Sequence, residues 1–198
     1  MKSFAIGAAV ATEDPREAQL ADAHVLPLMN VVRDLRAQGL IVPNVDPNDG
    51  GVNARVLVLL ETPGPKAVAS GFVSRDNPDP TARNLGLVLD DVGLLRSDVV
   101  IWNVVPCCLS TADKNRNASL AEIREALPAL QAFVDQLPKL VVVVFCGRSA
   151  QRVVGQVLLP SHVRTLKTFH TGTKSYRRLR CRADIHAKFE EAAWLVKG

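Results

Sequence analysis

Residues 140–146, LVVVVFC, form an apolar run that contains four consecutive valines. Such a run is typical of a strand buried on both faces, as in a parallel sheet with helices on each side. Three more strand-like runs lie at 56–60 (VLVLL), 99–105 (VVIWNVV) and 163–169 (VRTLKTF). Because helical patterns separate these runs, we predict a three-layer α/β/α sandwich with a central, mainly parallel four-stranded sheet.

The segments between the strands carry helix signals. Pro27 is expected to kink or divide the first helix, because proline lacks a backbone donor and clashes inside a helix. Ser119 followed by Glu122 is the pattern of a capping box. The turn-rich residues 42–53 are predicted to be a loop. The predicted helices cover 16–39, 80–92, 119–136, 147–155 and 184–197.

The chain length and composition indicate one globular domain over residues 1–198. No apolar run reaches the roughly 18 residues needed to cross a bilayer, so we expect no membrane association. The net charge of +4 allows an anionic partner. An ordinary solvated basic face explains that charge equally well, but the position of several cations near His170 favours a ligand. These cations are Lys167, Lys174, Arg177, Arg178, Arg180 and Arg182.

The four cysteines lie at positions 107, 108, 146 and 181. They form no CxxC pair and show no Cys/His spacing of a zinc site, so we predict no structural metal and no cofactor. Two of them adjoin apolar runs, which favours small thiols packed in the core of a protein in the reducing cytoplasm.

Each strand-like run carries residues capable of chemistry near or just after its C-terminal end: Glu61 and Thr62, Asn103, Arg148 and His170. Since the carboxyl ends of parallel strands meet at one edge of a sheet, we expect these side chains to share a crevice.

Each of these signals has a structural alternative. The stiff turn around Gly64 lets a ligand approach the backbone, yet such turns often only connect a strand to a helix. Asn103 can pair with the edge of an amide-like heterocycle such as a pyrimidine, or it can cap a helix or loop. His170 precedes a small, hydroxyl-rich loop in which backbone amides and Ser175 could hold a phosphate, but a lone strand-end histidine is more often structural.

Three motifs occur in a fixed order: LETPG at 60–64, NVVPC at 103–107 and HTG at 170–172. In this order the chain resembles the uracil-DNA glycosylase superfamily, nearest to the iron-sulfur bacterial branch, whose motifs read GEAPG, NVVKC and HPS. The resemblance covers about residues 55–182. Phe72 falls where the family keeps an aromatic residue that stacks on the base, and PTARNL at 80–85 resembles the segment that leads into the next helix.

The departures from this pattern change what the resemblance implies. Only Cys107 of the cluster cysteines is kept, and Ala126 stands about where the family has a helix ligand, so the cluster is expected to be absent. Thr62 replaces the Asp that positions water in the most familiar branch. Thr171-Gly172 replaces Pro-Ser, which leaves Lys174 near the family's wedge position and Ser175 to contact the DNA backbone.

The resemblance implies a monomeric, cytoplasmic DNA repair enzyme that removes uracil, or another deaminated base, from DNA. Phe72 and Asn103 would bind the flipped base, and His170 would stabilise its negative charge. Thr62 would position water and Glu61 would shape the pocket, while Arg148, Lys174, Ser175 and Gly64 would contact DNA. Two other readings remain open: a non-catalytic relative that binds single-stranded or damaged DNA, and a hydrolase of free nucleosides or nucleotides.

Overall fold

A computed structural model describes residues 14–109 and 116–198. Within these residues, one four-stranded sheet and one two-stranded pair form the β-structure. The strands are β1 (Asn44–Val45), β2 (Val56–Leu60), β3 (Phe72–Val73), β4 (Val99–Asn103), β5 (Val142–Cys146) and β6 (Arg164–Thr168). The helices are α1 (Leu26–Ala37), α2 (Pro65–Ser70), α3 (Pro80–Asp91), α4 (Leu120–Val134), α5 (Arg148–Gln151), α6 (Thr173–Tyr176) and α7 (Leu179–Lys197). Short 3₁₀ helices cover Pro15–Ala21, Gly51–Asn53 and Arg96–Asp98.

The central sheet has the order β4-β2-β5-β6, and all its neighbouring strands are parallel. The last residues of adjacent strands are in register, as Leu60 is with Asn103 and Cys146 is with Thr168. This confirms the predicted four-stranded parallel sheet flanked by helices. It also brings the four carboxyl ends to one edge, as the sequence led us to expect.

Buried apolar side chains hold the helices on the sheet. All five residues of β4 and of β5 are buried, and all of them except Asn103 are apolar. The Trp102 ring of β4 stacks on Phe133 of α4, with ring centroids 4.3 Å apart. Helix α7 packs on β5 and β6 and buries Ile185 and Phe189. Helix α1 packs on α4, and α3 contacts α7.

Several element boundaries differ from those predicted. Residues 16–39 do not form one helix: a 3₁₀ helix ends at Ala21, and Pro27 lies in the first turn of α1, where its missing N–H costs no helical hydrogen bond. Helix α7 begins at Leu179, because Cys181 extends its buried face one turn before Ile185. Helix α5 is only four residues long.

The predicted loop 42–53 contains β1, which pairs in parallel with β3. Such two-residue strands have no periodicity to recognise, because their pairing depends on a partner far along the chain. The capping box of Ser119 and Glu122 is present as predicted. Among the described residues, no helix is long and apolar enough to cross a membrane.

Candidate active site

A cavity of about 430 Å³ opens at the carboxyl ends of β2 and β4. Its wall includes Glu61, Thr62 and Gly64 from the turn after β2, Asn103 from the end of β4, and His170 from the segment after β6. The structure thus brings together five of the residues that the sequence singled out. The wall also includes polar residues from the segment between β3 and α3, from the first turn of α3 and from the segment before α4: Ser74, Asn77, Asp79, Thr81, Arg116 and Asn117.

A backbone hydrogen bond determines which nitrogen of the His170 imidazole accepts and which donates. The backbone N–H of Gly172 donates to His170 Nδ1 over 2.9 Å. Burial lowers the pKa of His170, while the Glu61 and Asp79 carboxylates act in the opposite direction. At neutral pH the ring is therefore uncharged, and because Nδ1 accepts a hydrogen bond, the proton resides on Nε2. His170 can offer one N–H donor to a ligand in the cavity.

Two glycines make room for the His170 ring. A Cβ added to Gly147 would lie 3.0 Å from His170 Cβ, and one added to Gly172 would lie 2.9 Å from His170 Nδ1. Gly147 also has a φ of 90°, a backbone angle that residues other than glycine rarely adopt. Both positions therefore require glycine if His170 is to keep this place.

Asn103 carries an unsatisfied donor into the cavity. The residue is only 2% exposed, and its Nδ2 has no hydrogen-bond partner in the part of the chain that the structure describes. A buried amide donor without a partner costs about 1–3 kcal/mol, so native structures rarely keep one without a reason. A ligand with an acceptor atom at this point would satisfy it.

The turn after β2 is fixed from both sides. Glu61 Oε1 accepts the backbone N–H of Ala118 over 2.7 Å, which connects the turn to the segment that begins α4. The backbone N–H of Val105 donates to the carbonyl of Glu61 over 3.0 Å. Glu61 is thus committed to holding the pocket wall, and Thr62 beside it is half-buried and faces the cavity.

Phe72, which the resemblance predicts to stack on the base, does not line the cavity. The side chain is 0% exposed, and the Arg16 guanidinium lies 4.0 Å above its ring centroid. Its neighbours Val73 and Ser74 line the cavity, whereas Phe72 does not. The strand pairing of Phe72 with Asn44 holds it in this buried layer.

The residues predicted to contact DNA lie outside the cavity wall, apart from Gly64. Arg148 is exposed at the start of α5, and Lys174 and Ser175 belong to α6 just after His170. Two cations that the sequence did not single out, Lys66 and Arg116, line the cavity itself.

Asn77 and Asp79 were also missed, although Asp79 gave a local signal. Asp79 precedes a proline and caps α3 by accepting the N–H groups of Thr81 and Ala82. An acidic residue before a proline at the start of a helical pattern is a recognisable cap. Asn77 binds Ser70 and the Phe72 carbonyl, and no sequence pattern indicates those bonds.

The family model of the uracil DNA glycosylase superfamily matches residues 47–194. The chain belongs to this superfamily. The match spans the turn after β2, Asn103 and His170, and it supports a glycosylase-type hydrolase of DNA repair. The crystal structure of a variant of mimivirus UNG in complex with UGI is similar, with 13% identity and a TM-score of 0.43 over 80% of this chain and 68% of that chain. No curated protein matches the sequence.

The iron-sulfur cluster of one branch of the superfamily does not fit this chain. Cys107 and Ala126 line a second cavity, of about 690 Å³, between α1 and α4. Cys146 and Cys181 are buried elsewhere, in β5 and α7. Besides Cys107, which lines this cavity, only its chain neighbour Cys108 remains, whereas an iron-sulfur cluster needs four ligands. Burial also raises the pKa of Cys107, which disfavours the thiolate that would bind iron. Within residues 14–109 and 116–198, no group of three or more His, Cys, Asp or Glu side chains could hold a metal ion.

Proposed function

We propose that this chain is a monofunctional glycosylase that hydrolyses the N-glycosidic bond of uracil in DNA and leaves an abasic site. It would act as a cytoplasmic monomer without a cofactor. The observation that carries the proposal is the presence of two donors in one cavity: the buried, unsatisfied Asn103 Nδ2 and the Nε2–H of a half-buried, uncharged His170. Membership of the superfamily supports the reaction class.

The donors suit the polar edge of uracil. Uracil presents two carbonyl oxygens, so Asn103 Nδ2 would donate to one of them and His170 Nε2 to the other. Cytosine carries an amino group in place of one carbonyl and would set donor against donor at Asn103. A buried site built for one hydrogen-bond pattern rejects its mismatch strongly, because the polar groups are then left unpaired.

The nucleotide would have to leave the base stack to place its glycosidic bond in the cavity. The bond between C1′ and N1 then breaks, and its electron pair remains on the departing uracil, whose negative charge spreads to the carbonyl oxygen. His170 stabilises that charge by donating a hydrogen bond while keeping its proton. The sugar gains oxocarbenium character, and water adds to C1′. The proton that this water loses to solvent balances the proton that the uracil anion takes up from solvent on release.

Thr62 and nearby backbone carbonyls would position this water. Glu61 already binds the Ala118 N–H, so we assign it to support of the pocket wall. Since no carboxylate replaces the Asp of the familiar branch at position 62, departure of the base would dominate the rate acceleration. We therefore expect Thr62→Ala to lose less activity than His170→Ala.

Phosphate groups on either side of the flipped nucleotide would meet cations. Lys66, Arg116 and the backbone at Gly64 line the cavity. Arg148 at the start of α5, and Lys174 and Ser175 in α6, are assigned to further contacts with the DNA backbone. Contacts of this kind position the DNA without reading its sequence, and they make binding salt-dependent.

The test is incubation of the purified protein with single- and double-stranded oligonucleotides that contain one uracil, followed by alkali treatment to reveal abasic sites. His170→Ala should abolish their formation, whereas His162→Ala, which removes an exposed histidine away from the cavity, should not. DNA binding without abasic sites would favour the non-catalytic relative. Release of uracil from free nucleosides alone would favour the small-molecule hydrolase.

A further inference from the structure

We propose that Asn84 is a positioning residue that sets the tautomer of His170 through the peptide unit between Thr171 and Gly172. The inference deepens the proposed function and rests on it only where base release is measured. The tautomer itself can be observed in the free protein.

The geometry links the two side chains through one rigid group. Asn84 Nδ2, on α3, donates to the carbonyl oxygen of Thr171 over 2.7 Å. The N–H of Gly172, which donates to His170 Nδ1 over 2.9 Å, belongs to the same peptide unit as that carbonyl. Since a peptide unit is planar, holding its oxygen at one end also directs its N–H at the other.

The consequence for His170 is electronic as well as geometric. A donor on the Thr171 oxygen polarises the amide, so its N–H becomes a stronger donor to Nδ1. While Nδ1 accepts this bond, the ring carries its proton on Nε2, the nitrogen left to face a ligand. Without Asn84 the peptide unit can rotate, Nδ1 becomes free to take a proton, and the donor to the leaving base is no longer assured.

A second bond on the same loop separates positioning from mere attachment. The Thr171 hydroxyl donates to the Thr81 carbonyl over 3.1 Å, so it also fastens the loop to α3. This bond does not touch the peptide unit between Thr171 and Gly172. Thr171→Val therefore loosens the loop without removing the donor on that unit, and it serves as the comparison for Asn84→Ala.

Glu61 and Asp79 are the carboxylates that act on His170, and both remain in these variants. We expect nitrogen-15 NMR to find Nε2 protonated and Nδ1 unprotonated in the wild-type protein. In Asn84→Ala the His170 resonances should shift towards a mixture of tautomers, and its titration midpoint should rise. The kcat for uracil release should fall about tenfold, the size of effect expected for one hydrogen bond, with little change in KM. Thr171→Val should leave the tautomer unchanged, and Asn30→Ala, an exposed asparagine on α1, should leave both readouts unchanged.

A lower melting temperature of Asn84→Ala with an unchanged His170 tautomer and titration would overturn the proposal, because Asn84 would then only attach the loop. A wild-type measurement decides the case if the variant does not fold. The Gly172 amide and the Asn84 side-chain amide should both shift with the His170 titration midpoint, and their failure to do so would also overturn it. If the wild-type protein releases no uracil but these shifts are seen, the proposed function fails while the positioning role stands.

Discussion

Replacement of Asn103 by leucine is expected to stabilise the free protein while destroying its activity. Asn103 is 2% exposed and, among the described residues, its Nδ2 has no partner. Leucine has a similar volume and no polar atom, so Asn103→Leu removes the cost of the buried donor. That cost is about 1–3 kcal/mol, and imperfect packing against the cavity offsets part of it. We therefore expect a gain of about 1 kcal/mol in the free energy of unfolding.

A matched substitution is available in the same cavity wall. Asn77 is 7% exposed, but its amide is satisfied at both ends: Oδ1 accepts from Ser70 Oγ over 2.7 Å, and Nδ2 donates to the Phe72 carbonyl over 2.9 Å. Asn77→Leu removes both of these bonds and leaves the Phe72 carbonyl with only the 3.2 Å bond from Ser70 Oγ, so it should destabilise the protein by about 1–3 kcal/mol. The same chemical change is thus predicted to have opposite signs at the two positions.

Urea denaturation followed by fluorescence would measure both variants, with uracil release measured in parallel. A gain of 1 kcal/mol corresponds to a rise of about 2–4 °C in the melting temperature for a chain of this size. Asn103→Leu should lose uracil release because no donor remains for the carbonyl. If Asn103→Leu destabilised the protein as much as Asn77→Leu, the Asn103 amide would already be satisfied in the free protein. The inference that Asn103 Nδ2 is available to donate to a ligand would then be wrong.

Three further predictions concern acidity, the pocket wall and the space around His170. Burial and the charge of Asp46 raise the pKa of Asp49 from 3.8 to about 7. Between these two pH values the folded protein holds a proton that the unfolded chain has released, so the free energy of unfolding should fall as the pH rises. The total fall is ~4 kcal/mol at most. Asp49→Asn should therefore be more stabilising at pH 8 than at pH 5 in urea titrations. Glu61→Gln keeps an acceptor for the Ala118 N–H, so activity should persist in a uracil-release assay and no limb of the pH profile should be lost. The limb of His170 should move only towards lower pH, because the Glu61 charge that raises the His170 pKa is gone. Gly147→Ala should reduce uracil release far more than Gly155→Ala, because both have positive φ but only Gly147 borders His170.

Each of these has a contrary outcome. An equal benefit of Asp49→Asn at both pH values would mean that Asp49 does not titrate between them. Loss of a titrating limb in Glu61→Gln would assign Glu61 to general-base catalysis. Similar activity of Gly147→Ala and Gly155→Ala would show that His170 does not depend on the space that Gly147 leaves.

The sequence by itself determined the sheet and the convergence of the site. Uninterrupted apolar runs such as 140–146, alternating with helical patterns, are typical of a parallel sheet covered on both faces, and parallel strands bring their carboxyl ends to one edge. The order of the strands along the chain is therefore enough to predict that Glu61, Thr62, Asn103 and His170 share one crevice. The capping box at Ser119 could also be predicted from the sequence, because its two hydrogen bonds join residues three apart.

The tertiary structure alone decided which polar atoms are satisfied and which are free. The bond from Asn84 to Thr171 joins residues 87 apart, and the ion pairs of Arg96 join it to Asp46 and Asp49. The orphan donor of Asn103 and the burial of Phe72 beneath Arg16 also depend on distant segments. The periodicity of apolar residues predicts which side chains are buried, because burial recurs with the period of the helix or strand. The partner of a buried polar atom follows no such repeat, since it is set by how separate elements pack together in space.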